Sequence, residues 1–311
     1  MKLWARLCCL TVTIVLVFSG CEVKVDNLHL AKYEMEQQDF LGAIIRLTMH
    51  VQDYPQSDTA YFLRSTCYSK IWKDSLAELD VQKVIQLNPN YHQAYLVLGS
   101  LRLAADDTTN AVLNFKRALE SSDKRIVSNT YIELGRMRYF AEKYQTALNC
   151  FGDAIEADSS NSMAWYYHGL SKSRFFTAKG ETGDIIYPYL DFDRAKDDFT
   201  KTISLSPELA DAWFQRSMVY FNQFNDSAGM IDINRAIELA PAYSYYYLGR
   251  AHQHLNMGRL NEALNDVNTA IERGDKDPNA YEERAIVYKQ LGNTKASEQD
   301  SLQALRLRKK Q

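Results

Sequence analysis

Aromatic, small and apolar positions recur along this chain with a period of 34 residues, from about Lys24 to the last residue. An aromatic opens each unit, at Tyr61, Tyr95, Tyr131, Trp165, Trp213, Tyr247 and Tyr281, and Asn27 holds that slot in a degenerate first unit. Four residues later the side chain is small every time: Ala31, Ser65, Gly99, Gly135, Gly169, Ser217, Ala251 and Ala285. Twelve residues beyond, it is small again, at Ala43, Ala77, Ala111, Ala147, Ala195, Gly229, Ala263 and Ser297, with one longer gap in the fifth unit. A third small column, seven residues after the second, holds Ala118, Ala154, Ala236, Ala270 and Ala304. Such spacings keep residues on one helical face, so each unit predicts two amphipathic helices joined by a short turn. The small positions mark the closest approach of those helices. Leucine at Gly135 or Ala236 is expected to overpack the crossing, at about 1–3 kcal/mol per site.

Proline gives an independent register, because inside a helix it loses a hydrogen bond and clashes. Pro55, Pro89, Pro207 and Pro241 all fall at the break between units, and Pro278 opens the last one. Pro188 lies elsewhere, inside the one long insertion. Eight units result: 24–57, 58–91, 92–125, 128–161, 162–209, 210–243, 244–277 and 278–311. Repeats of this length predict a stacked array in which each unit buries its apolar face on its neighbours.

The pattern resembles the tetratricopeptide repeat family, whose signature runs aromatic, Leu-Gly, Tyr, Ala, Phe, Ala, Pro. The third unit carries it as Tyr95, Leu98, Gly99, Ala111, Phe115 and Ala118, and the fourth as Tyr131, Leu134, Gly135, Ala147, Phe151 and Ala154. The resemblance implies an all-α, right-handed superhelical solenoid of about eight helix pairs over residues 27–311, serving as a non-catalytic protein-binding scaffold. In that family the first helices line a concave face through their second, fifth, ninth and twelfth positions. Here those columns hold Phe62, Leu96, Ile132, Arg136, Tyr139, Tyr166, Phe214, Phe221 and Tyr245, among Gln93, Asn129 and Asp211. Either they anchor a partner segment, as aromatics often do, or several pack between adjacent helices. The Lys and Asn clamp by which chaperone adaptors of the family hold a terminal carboxylate is missing: its pairs read Phe62/Thr66, Leu96/Ser100 and Ile132/Arg136. No carboxylate-clamp chaperone is therefore expected as a partner.

The first twenty residues break the repeat. Lys2 and Arg6 precede an apolar run from Leu7 to Phe18, short for a bilayer span but suited to a secretory signal. Ser19-Gly20-Cys21 follows, and small residues before a cysteine resemble the processing site of bacterial lipoproteins. On that resemblance residues 1–20 are a signal peptide, Cys21 is the lipid attachment site, and 21–26 form a short tether. Phe18 stands where Leu is usual, and an ordinary signal peptide or an uncleaved anchor is the alternative. Six residues at about 3.5 Å each hold the array within roughly 20 Å of the membrane, and several acyl chains, as the resemblance implies, anchor it stably. Glu22 rather than Asp after the cysteine leans toward an outer membrane facing the periplasm.

The formal charge is −3, and loss of Lys2 and Arg6 leaves 34 basic against 39 acidic side chains, or −5. A mildly acidic, evenly mixed chain argues against nucleic acid as a partner. No phosphate-binding Gly-rich loop, His-Glu-x-x-His or Cys-x-x-Cys occurs, so no catalytic residue, metal or cofactor is expected. His252 and His254, two apart on a helix, point away from each other. Asp191, Asp193, Asp197 and Asp198 cluster, but without the Gly that a calcium loop of the helix-loop-helix kind requires. Cys67 and Cys150 lie too far apart in the array for a disulfide and read as core residues.

The insertion in the fifth unit, about 175–193, brings Tyr187, Tyr189 and Phe192, either as partner contacts or folded back over the neighbouring helix. The expected function is a membrane-tethered adaptor for bacterial envelope proteins of unknown identity. A glycan- or peptidoglycan-binding envelope module, which would also use an aromatic groove, is the alternative.

Overall fold

The computed structural model describes residues 26–174, 192–274 and 276–309. Cys21, Tyr187 and Tyr189 lie outside them. Among the described residues there are sixteen helices and no strand, paired as the period predicts. Contacts divide the chain into two bodies, one ending at Glu120 and one starting at Ser121. The first holds three hairpins: α1 (Asn27–Glu36) with α2 (Phe40–Asp53), α3 (Asp58–Lys70) with α4 (Asp74–Leu87), and α5 (His92–Ala104) with α6 (Thr108–Ala118). The second holds five: α7 (Lys124–Phe140) with α8 (Tyr144–Ala157), α9 (Ser162–Arg174) with α10 (Phe192–Leu205), α11 (Ala210–Asn222) with α12 (Asp226–Leu239), α13 (Ser244–Asn256) with α14 (Leu260–Gly274), and α15 (Pro278–Gln290) with α16 (Thr294–Arg308). Within the second body each second helix also packs on the next first helix, and α9 touches both α7 and α11. First helices thus form one layer and second helices the other.

Local chemistry sets the helix ends. Asp39, Ser57 and Asp107 cap α2, α3 and α6 by accepting from the backbone N–H of Gly42, Ala60 and Asn110. In the seven hairpins whose turns are described, the turn passes through a left-handed residue at one fixed repeat position: Gln38, Trp72, Asp106, Glu142, Phe224, Gly258 and Gly292. Glycine adopts that backbone without steric cost, whereas Trp72 and Phe224 hold it with bulky side chains that stand almost wholly in solvent.

The small columns do what their spacing predicts. The members of the first are buried throughout, and the rings of Phe115 and Phe151 lie where a Cβ on Gly99 and Gly135 would have to sit, 2.5 Å from it in both cases. Gly135→Ala is accordingly expected to destabilise the second body by about 1–3 kcal/mol in chemical unfolding of the full chain. An unchanged midpoint would show that Phe151 moves aside freely.

A further column ties the hairpins together. Arg216 on α11 donates Nε and Nη2 to the two carboxylate oxygens of Asp232 on α12, at 2.7 and 2.9 Å, and Nη1 to Thr200 Oγ1 of α10 at 3.1 Å. The guanidinium lies over the rings of Trp213 and Tyr220. The same fork recurs in Arg64 with Asp80 and Thr48, Arg250 with Asp266 and Asn234, and Arg284 with Asp300 and Asn268. Each tie joins the two helices of one unit to the second helix of the unit before it. In the fifth unit Asp198 instead meets His168 and Lys172, and in the third and fourth the arginine slot holds Leu98 and Leu134.

Candidate functional site

The first-helix layer of the second body carries the candidate surface. The structure removes several expected members from it. Phe214 is 2 % exposed, sealed in a core with Ile233, Ala236 and Tyr246 and seated against Gly249. Phe221 is buried because Gly229 replaces alanine in the second small column, and the ring fills that space. Ile132 packs with Ala147 and Phe151, Tyr166 with Phe199 and Ala212, and, in the first body, Phe62 with Val81, Ala94 and Leu98. The fifth position of the first helix faces the joint between units, so Phe62, Ile132, Tyr166 and Phe214 are buried there, as is Phe221 at the twelfth position. Leu96, Arg136 and Tyr139 are half-buried. Phe192 and Asp193 belong to α10 and not to the inserted loop: Phe192 packs against the Tyr166 cluster, and Asp193 accepts from Lys196 and Gln223.

What remains is an arrangement around Asp211. In the first turn of α11, its Oδ1 accepts a hydrogen bond of 2.5 Å from Tyr246 Oη on α13. Burial, and then the nearby Asp211 carboxylate, raise the ionisation of the Tyr166 hydroxyl on α9. Burial, the bond to Asp211 and its charge do the same for Tyr246, so both phenols stay protonated. Tyr245 is 54 % exposed and packs its ring 4.9 Å from Phe214. Two units before Asp211, Arg136 donates from Nη1 to Glu133 at 2.8 Å and lies over Tyr167, while its buried Nε has no partner among the described residues. The face therefore offers an exposed ring, a carboxylate and a neutralised cation, which suits recognition of a polar segment. Tyr246 and Tyr167 were not in the columns read from the sequence, because they follow the second and the fifth position by one, and both turn toward the preceding unit.

His252 and His254 lie on different sides of α13, as their spacing predicts. His252 Nδ1 is 3.0 Å from Glu283 Oε1, and that hydrogen bond raises its pKa above the ordinary value near 6.5. Burial lowers that of His254, whose side chain faces Asp266 and Arg250. The signs are opposite. The His252 pair supports folding fully below the unfolded value and loses that support as pH rises through the folded one. His254 withdraws stability as pH falls from the unfolded value through its own. Ring-proton NMR titration is expected to place the two on opposite sides of 6.5, with Glu283→Gln returning His252 toward it. A His252 value at or below 6.5 in the intact protein would contradict the pairing.

Elsewhere, Cys67 is buried and its thiol is pushed up to about 11, while Cys150 is half-buried; both are free.

The sequence model of the tetratricopeptide repeat matches residues 210–243 and 278–311, in the register given above. No curated protein matches the chain. Among solved structures it resembles a chain of the APC/C hetero-tetramer Cut9–Hcn1, with TM-score 0.68 and 13% identity over 88% of this chain and 51% of that one. It thus spans about half that chain's length. A tetratricopeptide repeat protein from Parabacteroides merdae ATCC 43184 matches with TM-score 0.57 and 16% identity, over 81% and 93% of the two chains. Human IFIT1 matches with TM-score 0.57 and 12% identity, over 86% and 69%. At such identities the likeness is one of fold. Two of its units thus match the tetratricopeptide repeat by sequence, and the helix-pair fold common to all eight is that of a tetratricopeptide-repeat solenoid.

Proposed function

We propose that this protein is a non-catalytic scaffold, tethered by lipid at Cys21 to a bacterial envelope membrane, that holds a segment of another envelope protein on its first-helix face. The outer membrane, facing the periplasm, is the favoured location. The observation that carries the binding part is the exposed Tyr245 standing on the buried ring of Phe214, next in sequence to Tyr246, whose hydroxyl bonds the carboxylate of Asp211. A rigid ring presented at a packed joint loses little freedom on binding and is the kind of residue on which interfaces concentrate their energy. The fold alone does not choose the ligand: the Cut9 neighbour is found with the protein Hcn1, and IFIT1 with the triphosphorylated PPP-AAAA. A chain of net charge −3 favours protein over nucleic acid. The tethering part rests on the Leu7 to Cys21 sequence.

Crosslinked co-purification from detergent-solubilised membranes, comparing the intact chain with Cys21→Ser, tests both parts. A dominant envelope protein recovered with the intact chain and lost with Cys21→Ser supports the reading. Equal recovery from both would remove the tether from the account, and recovery of peptidoglycan fragments in place of protein would favour the glycan-binding module.

A further inference from the structure

Asp211 is the focus of a small, built constellation. Tyr246 of the following unit donates to Oδ1, and among the described residues no hydrogen bond reaches Oδ2. Tyr166 of the preceding unit is close enough for its hydroxyl to feel the Asp211 charge and that of Tyr245. Tyr246 is itself stacked, with its ring centroid 5.6 Å from Tyr243 and 5.1 Å from Phe214, so the group is held from behind. The units on either side therefore place phenol rings around one carboxylate of the unit between them.

The charge balance of the face gives the ligand's chemistry. The cations on the surrounding first helices are engaged: Arg136 by Glu133, Lys172 by Asp198, Arg216 by Asp232 and Arg250 by Asp266. Among the described residues no cation pairs with Asp211, which accepts only the Tyr246 hydroxyl. The face of a tyrosine ring carries negative potential and attracts cations, which exposed Tyr245 can offer, and a carboxylate binds an ammonium or guanidinium more strongly than it binds a neutral donor. We propose that Asp211, framed by Tyr166, Tyr245 and Tyr246, seats a lysine or arginine side chain of the bound segment. This rests on the reading of the first-helix face as a partner-binding surface and adds the chemistry of one residue that the partner must supply. Tyr245, the exposed member, covers the aliphatic stem of that side chain, while Oδ2 takes the charged head.

The test uses a random dodecapeptide phage library panned on the full-length chain in detergent, in parallel with its Asp211→Asn variant. Asparagine keeps the shape and the acceptor for Tyr246, and unchanged unfolding midpoints confirm that both proteins are folded. The expected result is a set of enriched peptides sharing a basic residue at one aligned position. A synthetic enriched peptide should lose at least about tenfold in affinity when that residue becomes norleucine. Asp211→Asn should cost a similar factor, and the two changes together no more than either alone. Tyr245→Ala, at an exposed site, should weaken the same peptide. Enriched peptides without a shared basic residue, or bound equally by Asp211→Asn, would overturn this inference and leave the peptide-binding reading standing. No enrichment on either protein would overturn both.

Discussion

Phe214→Ala is expected to destabilise the second body by about 3–5 kcal/mol, the usual range for emptying a buried phenylalanine site. The ring is 2 % exposed and meets Tyr245, Tyr246 and Ile233. It also occupies the space beside Gly249, where a Cβ would come within 2.7 Å of it. Because that wall has no side chain to swing inward, the cavity cannot close easily. In a linear array each unit leans chiefly on its neighbours, so the damage should concentrate at α11 to α13. Hydrogen exchange on the full chain should show those helices losing protection first, with denaturant unfolding giving the magnitude. A loss below about 1 kcal/mol would mean that Phe214 does not hold the joint. The same burial makes Phe214 a poor probe of binding, since its removal would displace Tyr245 whether or not a partner touches either residue.

Asp232→Ala is expected to cost as much, for a different reason. It leaves the guanidinium of Arg216, 14 % exposed, without its carboxylate. Removing one partner of a buried ion pair typically costs about 3–5 kcal/mol, because the other charge remains unsolvated. The bond to Thr200 and the rings of Trp213 and Tyr220 stay in place, which favours the lower end. The third and fourth units indicate the remedy: Leu98 and Leu134 stand at the arginine position, with Asn114 and Cys150 at the aspartate position. Arg216→Leu combined with Asp232→Ala should recover most of the loss. A double-mutant cycle in denaturant unfolding checks this, and a double variant as damaged as the single one would contradict the charge argument.

The architecture could be read almost entirely from spacing. The columns at Gly99, Gly135 and their equivalents, and the proline register, follow from helix geometry, and a two-helix unit admits one way of stacking them. The partner surface was harder to read. At the fifth position an aromatic points either to the ligand or into the joint, and the choice depends on the size of residues in neighbouring helices. Phe214 is buried because Gly249 leaves room, and Phe221 because Gly229 does; neither relation is visible without the packing. The arginine ties have a spacing that is present in the sequence: Arg64, Arg216, Arg250 and Arg284 each precede an aspartate by sixteen residues. In the family pattern that slot belongs to leucine, which concealed the pairing until the hairpin register placed both residues on facing helices.

The central claim is that the first-helix layer of residues 121–311 receives a partner segment. A photoreactive benzoylphenylalanine placed at Tyr245 on that layer, and in a second protein at Ile231 on a second helix, tests it directly in intact membranes. Both positions are exposed, at 54 % and 68 %, so reactivity alone does not distinguish them. The account predicts a discrete crosslinked species from position 245 and none from 231. A product from 231 with silence at 245 would move the binding surface to the other layer and contradict it.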